Sequence, residues 1–295
     1  MKNCKKHLIV ALIVLVLGQF LAPKAAQAQI IEFGGSVGLS YYMGDVNPNK
    51  PFIQSELGWG VLARYYSDTR WAFKLTYSNL QLNGNDETVG YRTERGLSFN
   101  TKVHDVAVVA EFNFLDYFTG SRRNNLSPYL FAGLSAFHYN PKADDGTELY
   151  NIKTDVSEGG DLLADYHSDD NDEKYSRFSM SVPFGIGLKY SLGQKIGVAL
   201  EWRWDYTFTD WLDDCHAYYP LYEDKDLPYV QYSDPTGFTD DPEHPGTNGR
   251  NYIQRGNKAD NDWFGYLNLS LVYKFVLPTG KDCNSGANKN SYKNY

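Results

Sequence analysis

The residues of this sequence best suited to chemistry are two histidines, His104 and His138. Each lies in a segment that is predicted to form a β-strand. If the two segments pair as neighbouring strands, the imidazoles can meet across the ladder, and histidine with serine and carboxylate groups can form a hydrolase site. No suitably spaced serine accompanies either histidine. We therefore interpret both as interfacial side chains and predict a protein that is not an enzyme and needs no cofactor.

A second candidate for chemistry is the acidic run Asp169–Glu173. Clustered carboxylates suit calcium, but the run lacks the glycine-centred spacing of an EF-hand loop. A solvated loop of like charges is the favoured interpretation. The glycines at 34–35 and 58–60 are not followed by a helix pattern, so they predict strands rather than phosphate-binding loops. We predict no metal site.

The N-terminus has the pattern of a secretory signal peptide. Lysines precede an apolar run, and small residues precede Gln29, so residues 1–28 are predicted to be removed. Without them the net charge falls from −8 to −12, because the leader holds four lysines and no acids. An acidic chain without a basic stripe is not expected to bind nucleic acid. Residues 277–295 are predicted to be a flexible periplasmic tail.

Eight segments predict the strands of the fold: seven alternate in polarity, and the eighth, Tyr129–Tyr139, is apolar on both faces. In the clearest one, Ile196–Tyr206, isoleucine, valine, leucine and aromatic residues oppose glycine, alanine and charged residues. The other predicted strands are Phe33–Gly44, Leu57–Tyr66, Trp71–Ser78, Val103–Phe114, Tyr129–Tyr139, Phe178–Tyr190 and Trp263–Phe275.

The connections between these segments separate a membrane barrel from a soluble β-sandwich. Long connections alternate with tight turns at 67–70 and 191–195, as in outer-membrane barrels with short periplasmic turns and long extracellular loops. The connection Leu115–Ser127 is long for a periplasmic turn, and the sequence gives no reason for its length. We predict an all-β fold over residues 29–276, an eight-stranded antiparallel transmembrane β-barrel in outer-membrane lipids with both termini periplasmic.

The inward faces of the predicted strands carry charges of both signs. An eight-stranded barrel has an interior just filled by side chains, so these residues are predicted to pair with one another and block conduction. A selectivity filter would prefer one sign. The predicted interior set is Arg64, Lys74, Asp105, Glu111, Lys189, Glu201, Arg203, Asp205 and Lys274.

Three stretches together resemble the PorG family. The first is Tyr41–Pro48, with Gly44, Asp45 and Asn47; the second is Ser127–Leu134; the third is Thr207–Asp214, with Asp210, Asp213 and Asp214. Their order and spacing extend the likeness over nearly the whole mature chain. Cys215 departs from the pattern, since related sequences usually have a small apolar residue there.

The resemblance implies a non-enzymatic component of the type IX secretion machinery of Bacteroidota outer membranes. Members of that family associate with a periplasmic ring of the lipoprotein PorK and its partner PorN, and gliding and virulence-factor secretion depend on the machinery. The alternative is a small surface barrel similar to OmpX or OmpA, acting in adhesion or envelope integrity.

Cysteines and basic residues on the predicted periplasmic side are candidates for partner binding. Cys215 is placed in an outer loop and Cys283 beyond the last strand, so a bilayer of about 30 Å separates them and they cannot pair with each other. We predict that Cys283 forms a disulfide with a ring component, and that Arg122, Arg123 and Lys281 contribute to the same contact. A free thiol without a role is the alternative.

Overall fold

The computed structural model describes residues 29–121, 123–149, 176–215, 219, 230–238, 240–241, 244–248, 254–257 and 259–277. The chain divides into two compact units, of which one comprises residues 1–30 and 276–294 and the other comprises residues 31–275 and 295. The described part of the first is limited to residues 29–30 and 276–277, which are the ends of two strands. The second unit holds the fold described below.

Ten strands and two short helices make up the described secondary structure. Eight long strands form a closed barrel, and two short strands pair with each other elsewhere in the chain. Both helices have four residues, and no helix in the described ranges is long and apolar enough to cross a membrane. The elements are β1 (Gln29–Met43), β2 (Glu56–Tyr66), β3 (Trp71–Asn85), α1 (Asp86–Val89), β4 (Ser98–Asn113), β5 (Leu126–Lys142), β6 (Phe178–Ser191), β7 (Ile196–Thr207), α2 (Val230–Ser233), β8 (Asp240–Asp241), β9 (His244–Asn248) and β10 (Trp263–Leu277).

The barrel closes in the order β1, β10, β7, β6, β5, β4, β3, β2. Neighbours with described registers are antiparallel, and His104 lies directly opposite His138 across β4 and β5. The predicted eight-stranded antiparallel β-barrel is therefore confirmed. Inward and outward residues alternate along β7, for example, with Glu201 and Arg203 buried and Leu200 half exposed.

Several strands are longer than predicted because the polarity of their two faces reverses near one end. On β3, Lys74 and Ser78 point inward, but the next inward residues, Leu80 and Leu82, are apolar and fully buried. The outward positions there are occupied by asparagine and glutamine. An alternation pattern with a fixed polar face ends at this reversal, which is why β3 was predicted to stop at Ser78 instead of Asn85.

The outward face between the two ends of the barrel is apolar. Leu75, Val108, Leu134, Ile186 and Leu271 are each about half exposed, and all belong to the outward set of their strands. Water-soluble monomers rarely expose continuous apolar patches larger than a few hundred Å². A surface of this kind is stable against hydrocarbon, because burial in lipid removes the apolar area from water.

Long and short connections lie at opposite ends of the barrel. The long-loop end carries the connections 44–55, 86–97, 143–177 and 208–262, whereas the short-turn end carries 67–70, 114–125 and 192–195. This arrangement follows from the antiparallel order, in which successive connections alternate between ends. The predicted alternation of loop lengths is confirmed.

Candidate functional site

The middle of the barrel interior is an ion-pair network centred on Glu111. Arg64 Nε lies 2.8 Å, Lys74 Nζ 3.2 Å and Lys189 Nζ 2.5 Å from its carboxylate oxygens. Lys74 Nζ also lies 2.5 Å from Glu201. All of these side chains are buried, so the charges that the sequence placed in the interior pair there as predicted.

Arg203 forms a second interior network nearer the long-loop end. Its Nη2 atom donates to Asp105 at 2.8 Å, and its Nε atom lies 2.7 Å from Asp205. Ser181 donates to Asp205 at 2.8 Å and shares a hydrogen bond with Ser135. A cavity of about 20 Å³ remains between the two networks, room for roughly one water molecule, and it is lined by residues that include Lys74, Glu201, Arg203 and Tyr266.

The connection 114–125 closes the short-turn end of the interior. Tyr117 and Thr119 are buried there, and Thr119 Oγ1 donates to Glu32, which in turn accepts from Arg64 Nη1 at 2.9 Å. This contact explains the length of the connection, which has to reach back under the barrel. Glu32 is an interior acid that the sequence analysis did not include. Lys274, which it did include, is half-buried at this end, with Nζ 5.8 Å from the ring centroid of Phe118.

At the long-loop end, loop residues and inward strand residues form one buried cluster. Tyr42 is the penultimate residue of β1. Its Oη atom lies 2.6 Å from a carboxylate oxygen of Asp213 and 2.6 Å from one of Asp262. The second oxygen of Asp262 accepts from the backbone N–H of Leu212 at 2.9 Å. These contacts fasten the loop after β7 to the mouth of the barrel.

The same geometry requires a shared proton. A phenol has one hydrogen, so Tyr42 can donate to only one of the two carboxylates, and the second short contact needs a protonated carboxyl group as its donor. Burial, together with the negative charge of Asp45, raises the pKa of Asp213 to about 7. Burial also raises the pKa of Asp262 well above its usual range, with the nearby charge of Asp213 adding to the effect.

Two arginines hold the outer layer of this cluster. Arg95 pairs with Asp86, with Nη2 2.5 Å from the carboxylate, and donates to the backbone oxygens of Asp45 and Arg255. Arg255 donates to the backbone oxygen of Asp214, which adopts a left-handed conformation with φ 59°. Both guanidinium groups are buried and bind loop backbone, so they fix the loops to one another.

Cys215, in the loop after β7, lies inside this cluster. Its side chain is 1% exposed, and Sγ donates to the backbone oxygen of Arg255 at 3.3 Å. Burial raises the pKa of the thiol well above its usual value, which keeps it protonated and unreactive. Cys215, where the chain departs from the PorG pattern, is therefore a packed core residue with a free thiol.

Six positions from the first and third stretches of the resemblance to the PorG family lie in or around this cluster. Asn47 forms the turn after β1 by donating to the backbone oxygen of Tyr42 at 3.1 Å and accepting from the Lys50 N–H. Gly44 is required by space, because a Cβ atom there would come within 2.0 Å of both Tyr42 Oη and Asp262 Oδ1. The remaining positions, Asp45, Asp210, Asp213 and Asp214, are buried or half-buried around the same contacts.

Three potential metal-ligating side chains meet within the cluster. The ligand atoms of Asp45, Asp213 and Cys215 lie within 4.8 Å of one another. Each is already bonded inside the protein. Asp45 accepts from the Asn257 N–H at 2.8 Å, Asp213 is hydrogen-bonded to Tyr42 and accepts from the Cys215 N–H, and the Cys215 thiol donates as described. The arrangement is that of a satisfied polar core.

The other predicted sites have separate positions. The rings of His104 and His138 are 6.4 Å apart on the outward face, so the two histidines meet as predicted. Arg123 is exposed in the connection 114–125 at the short-turn end. Arg122, Lys281, Cys283 and the acidic run 169–173 lie outside the described residues. The sequence analysis did not identify five residues of these interior networks and of the buried cluster: Glu32, Tyr42, Asp262, Arg95 and Arg255. Of these, only Glu32 could have been found from alternating polarity, because it is an acid at an inward position of β1.

Comparisons with known proteins give structural neighbours and a family. The attachment invasion locus protein Ail of Yersinia pestis, in complex with the heparin analogue sucrose octasulfate, has 11% identity and a TM-score of 0.37 over 85% of this chain and all of that one. Neisserial surface protein A has 12% identity and a TM-score of 0.37 over the same shares. The outer membrane protein OprG of Pseudomonas aeruginosa has 10% identity and a TM-score of 0.36, covering 85% of this chain and 97% of that one.

A search of curated proteins finds no match. The family model described as a domain of unknown function, DUF6089, matches residues 6–234, which include the first seven barrel strands and most of the cluster at the long-loop end. The chain belongs to the DUF6089 family.

Proposed function

We propose that this chain is an outer-membrane protein that anchors the periplasmic ring of a type IX secretion machinery. The observation that carries the membrane assignment is the outward apolar face of a closed barrel, which needs a hydrocarbon environment. The short-turn end then faces the periplasm and the long-loop end faces outward, as in other outer-membrane barrels.

The filled interior supports an anchoring role over a transport role. Ion pairs around Glu111 and Arg203 occupy the middle of the barrel, and buried residues of the connection 114–125 close one end. A channel would need a continuous polar path with room for hydrated solutes. In this proposal the barrel acts as a rigid membrane anchor.

The assignment to secretion rests on the resemblance to the PorG family. Gly44, Asp45, Asn47, Asp213 and Asp214, which carry that resemblance, lie in one buried cluster that shapes the long-loop end. In the proposal, a PorK-like lipoprotein and its PorN-like ring partner bind at the opposite, short-turn end, where Arg123 is exposed. Cys283 tethers the ring covalently.

A deletion strain tests the proposal. We expect the strain to retain cargo with a C-terminal signal domain inside the cell, and plasmid-borne wild-type protein to restore secretion. A strain that secretes this cargo normally would refute the secretion role and leave the small surface barrel of adhesion or envelope function. Replacing the acids of Asp169–Glu173 with asparagine is the matched control, because these residues are assigned to the side away from the ring.

A further inference from the structure

On the wall formed by β4 and β5, the outward face changes from apolar to polar within one rung of the sheet. Val106, which is 49% exposed, lies opposite Ala136. Two residues nearer the long-loop end, His104 lies opposite His138, and Phe178 on β6 pairs with His138 on its other side. The apolar wall therefore ends at a rung that carries two imidazoles.

Two lysines add positive charge to the polar surface beyond the histidine rung. Lys102 is exposed on the next outward rung, opposite Asn140, and Lys142 lies one rung further, opposite Asn100. Successive outward residues of a strand are about 7 Å apart, so the lysines stand about 7 Å and 13 Å from the histidines. Glu148 lies 3.6 Å from Lys142 Nζ in a contact that is about 40% exposed, so solvent weakens this pairing.

The hydrogen bonds of His104 make it a donor toward the outside. Its Nδ1 atom lies 3.1 Å from Asn79 Nδ2 and 3.0 Å from Tyr77 Oη. An amide nitrogen can only donate, so Nδ1 accepts, and the imidazole hydrogen is on Nε2. His104 therefore presents an N–H donor near the lysines even when it is neutral.

The opposite wall has no such surface among its described residues. At the long-loop ends of β7 and β10, the outward residues Tyr206 and Trp263 pair in register, with ring centroids 4.9 Å apart. Aromatic rings of this kind suit any lipid interface. The basic residues thus mark one side of the barrel, at the height where its apolar wall ends.

We propose that Lys102, His104, His138 and Lys142 bind the phosphate-bearing headgroup of an anionic lipid in the membrane leaflet at the long-loop end. The ligand must combine an acyl chain with a negative headgroup, because the basic residues adjoin an apolar wall along the same strands. A free phosphate would use only the basic half of this surface. The inference rests on the proposed insertion of the barrel in a membrane.

Competition between two lipids tests the site. The purified full-length barrel is equilibrated with equal amounts of phosphatidylglycerol and phosphatidylcholine, and the lipids that remain bound are counted by native mass spectrometry. Wild type should retain mainly phosphatidylglycerol. The double variant Lys102→Gln with Lys142→Gln should lose this preference by about fivefold for each charge removed.

A matched control removes two charges from the other end. Arg70→Gln with Lys195→Gln removes the same two positive charges from exposed residues of the short-turn end and should leave the preference as in wild type. Equal loss in both double variants, or displacement of the lipid by excess inorganic phosphate, would overturn the site. Heat-modifiable migration of each variant confirms that the barrel is folded.

Flotation with phosphatidylcholine vesicles separates this inference from the proposed function. If the wild-type barrel floats but retains both lipids equally, the lipid site is wrong and membrane insertion stands. If the folded barrel does not float, insertion is wrong and the lipid site is refuted with it.

Discussion

Replacing Glu111 by glutamine should strongly destabilise the barrel. The carboxylate is fully buried and contacts Arg64, Lys74 and Lys189 at 2.8, 3.2 and 2.5 Å. Glutamine keeps the shape but removes the negative charge. The three buried cations are then left with two carboxylates, Glu32 and Glu201, and with neutral partners such as the amide oxygen of Asn113. Removing one partner of a buried ion pair costs about 3–5 kcal/mol, and the low exposure here leaves little solvent screening to reduce that figure.

Urea unfolding in detergent micelles measures this effect. The folded fraction is followed by heat-modifiable migration, and the midpoint of the Glu111→Gln variant should fall well below that of wild type. Asp116→Asn is the control, because it makes the same acid-to-amide change in an exposed pair with Arg70 and should leave the midpoint unchanged. An unchanged midpoint for Glu111→Gln would show that water, not the ion pairs, neutralises the interior charges.

Three further predictions concern conduction, pH and the tail. Planar-bilayer recordings should show no stable large channels, because side chains fill the interior; such channels would contradict the closed lumen. The raised pKa of Asp213 means that the folded cluster holds a proton that the unfolded chain releases above about pH 4. The stabilisation that this proton gives the folded state is complete below about pH 4. It is lost as the pH rises from there through about 7, by on the order of 1 kcal/mol per pH unit. Limited proteolysis of the loops should therefore be faster at pH 8 than at pH 5 in wild type, and a similar difference in Asp213→Asn would refute this assignment. Non-reducing gels of membranes should show a reducible band of higher mass that is lost in Cys283→Ser; a monomer in both samples would exclude the tether.

The barrel strands were predictable because their two faces meet different surroundings. On β7, Leu200 and Trp202 face outward while Glu201 and Arg203 face the interior. Alternation in the sequence therefore shows which residues face out of the barrel and which face into it. The pattern failed where the faces exchange polarity. Leu80 and Leu82 are inward and apolar because the loops cover the mouth of the barrel there.

The cluster at the long-loop end was not predictable from local pattern. Tyr42 is 171 residues from Asp213 and 220 residues from Asp262 along the chain, and no periodicity relates such positions. The resemblance to the PorG family singled out Gly44 and several aspartates, but it gave no physical reason for these residues. The structure supplies that reason as space for a hydrogen bond and a shared proton among buried carboxyl groups.

Co-purification from outer membranes tests the central claim most directly. Tagged wild-type protein is solubilised after mild cross-linking of intact cells, and its partners are identified by mass spectrometry. The anchoring role predicts specific recovery of a periplasmic ring lipoprotein similar to PorK together with its PorN-like partner, at undiminished yield when Asp169–Glu173 are replaced by asparagine. Recovery of neither ring component above the level of an untagged strain, with the barrel itself folded and abundant in the membrane, would contradict the account.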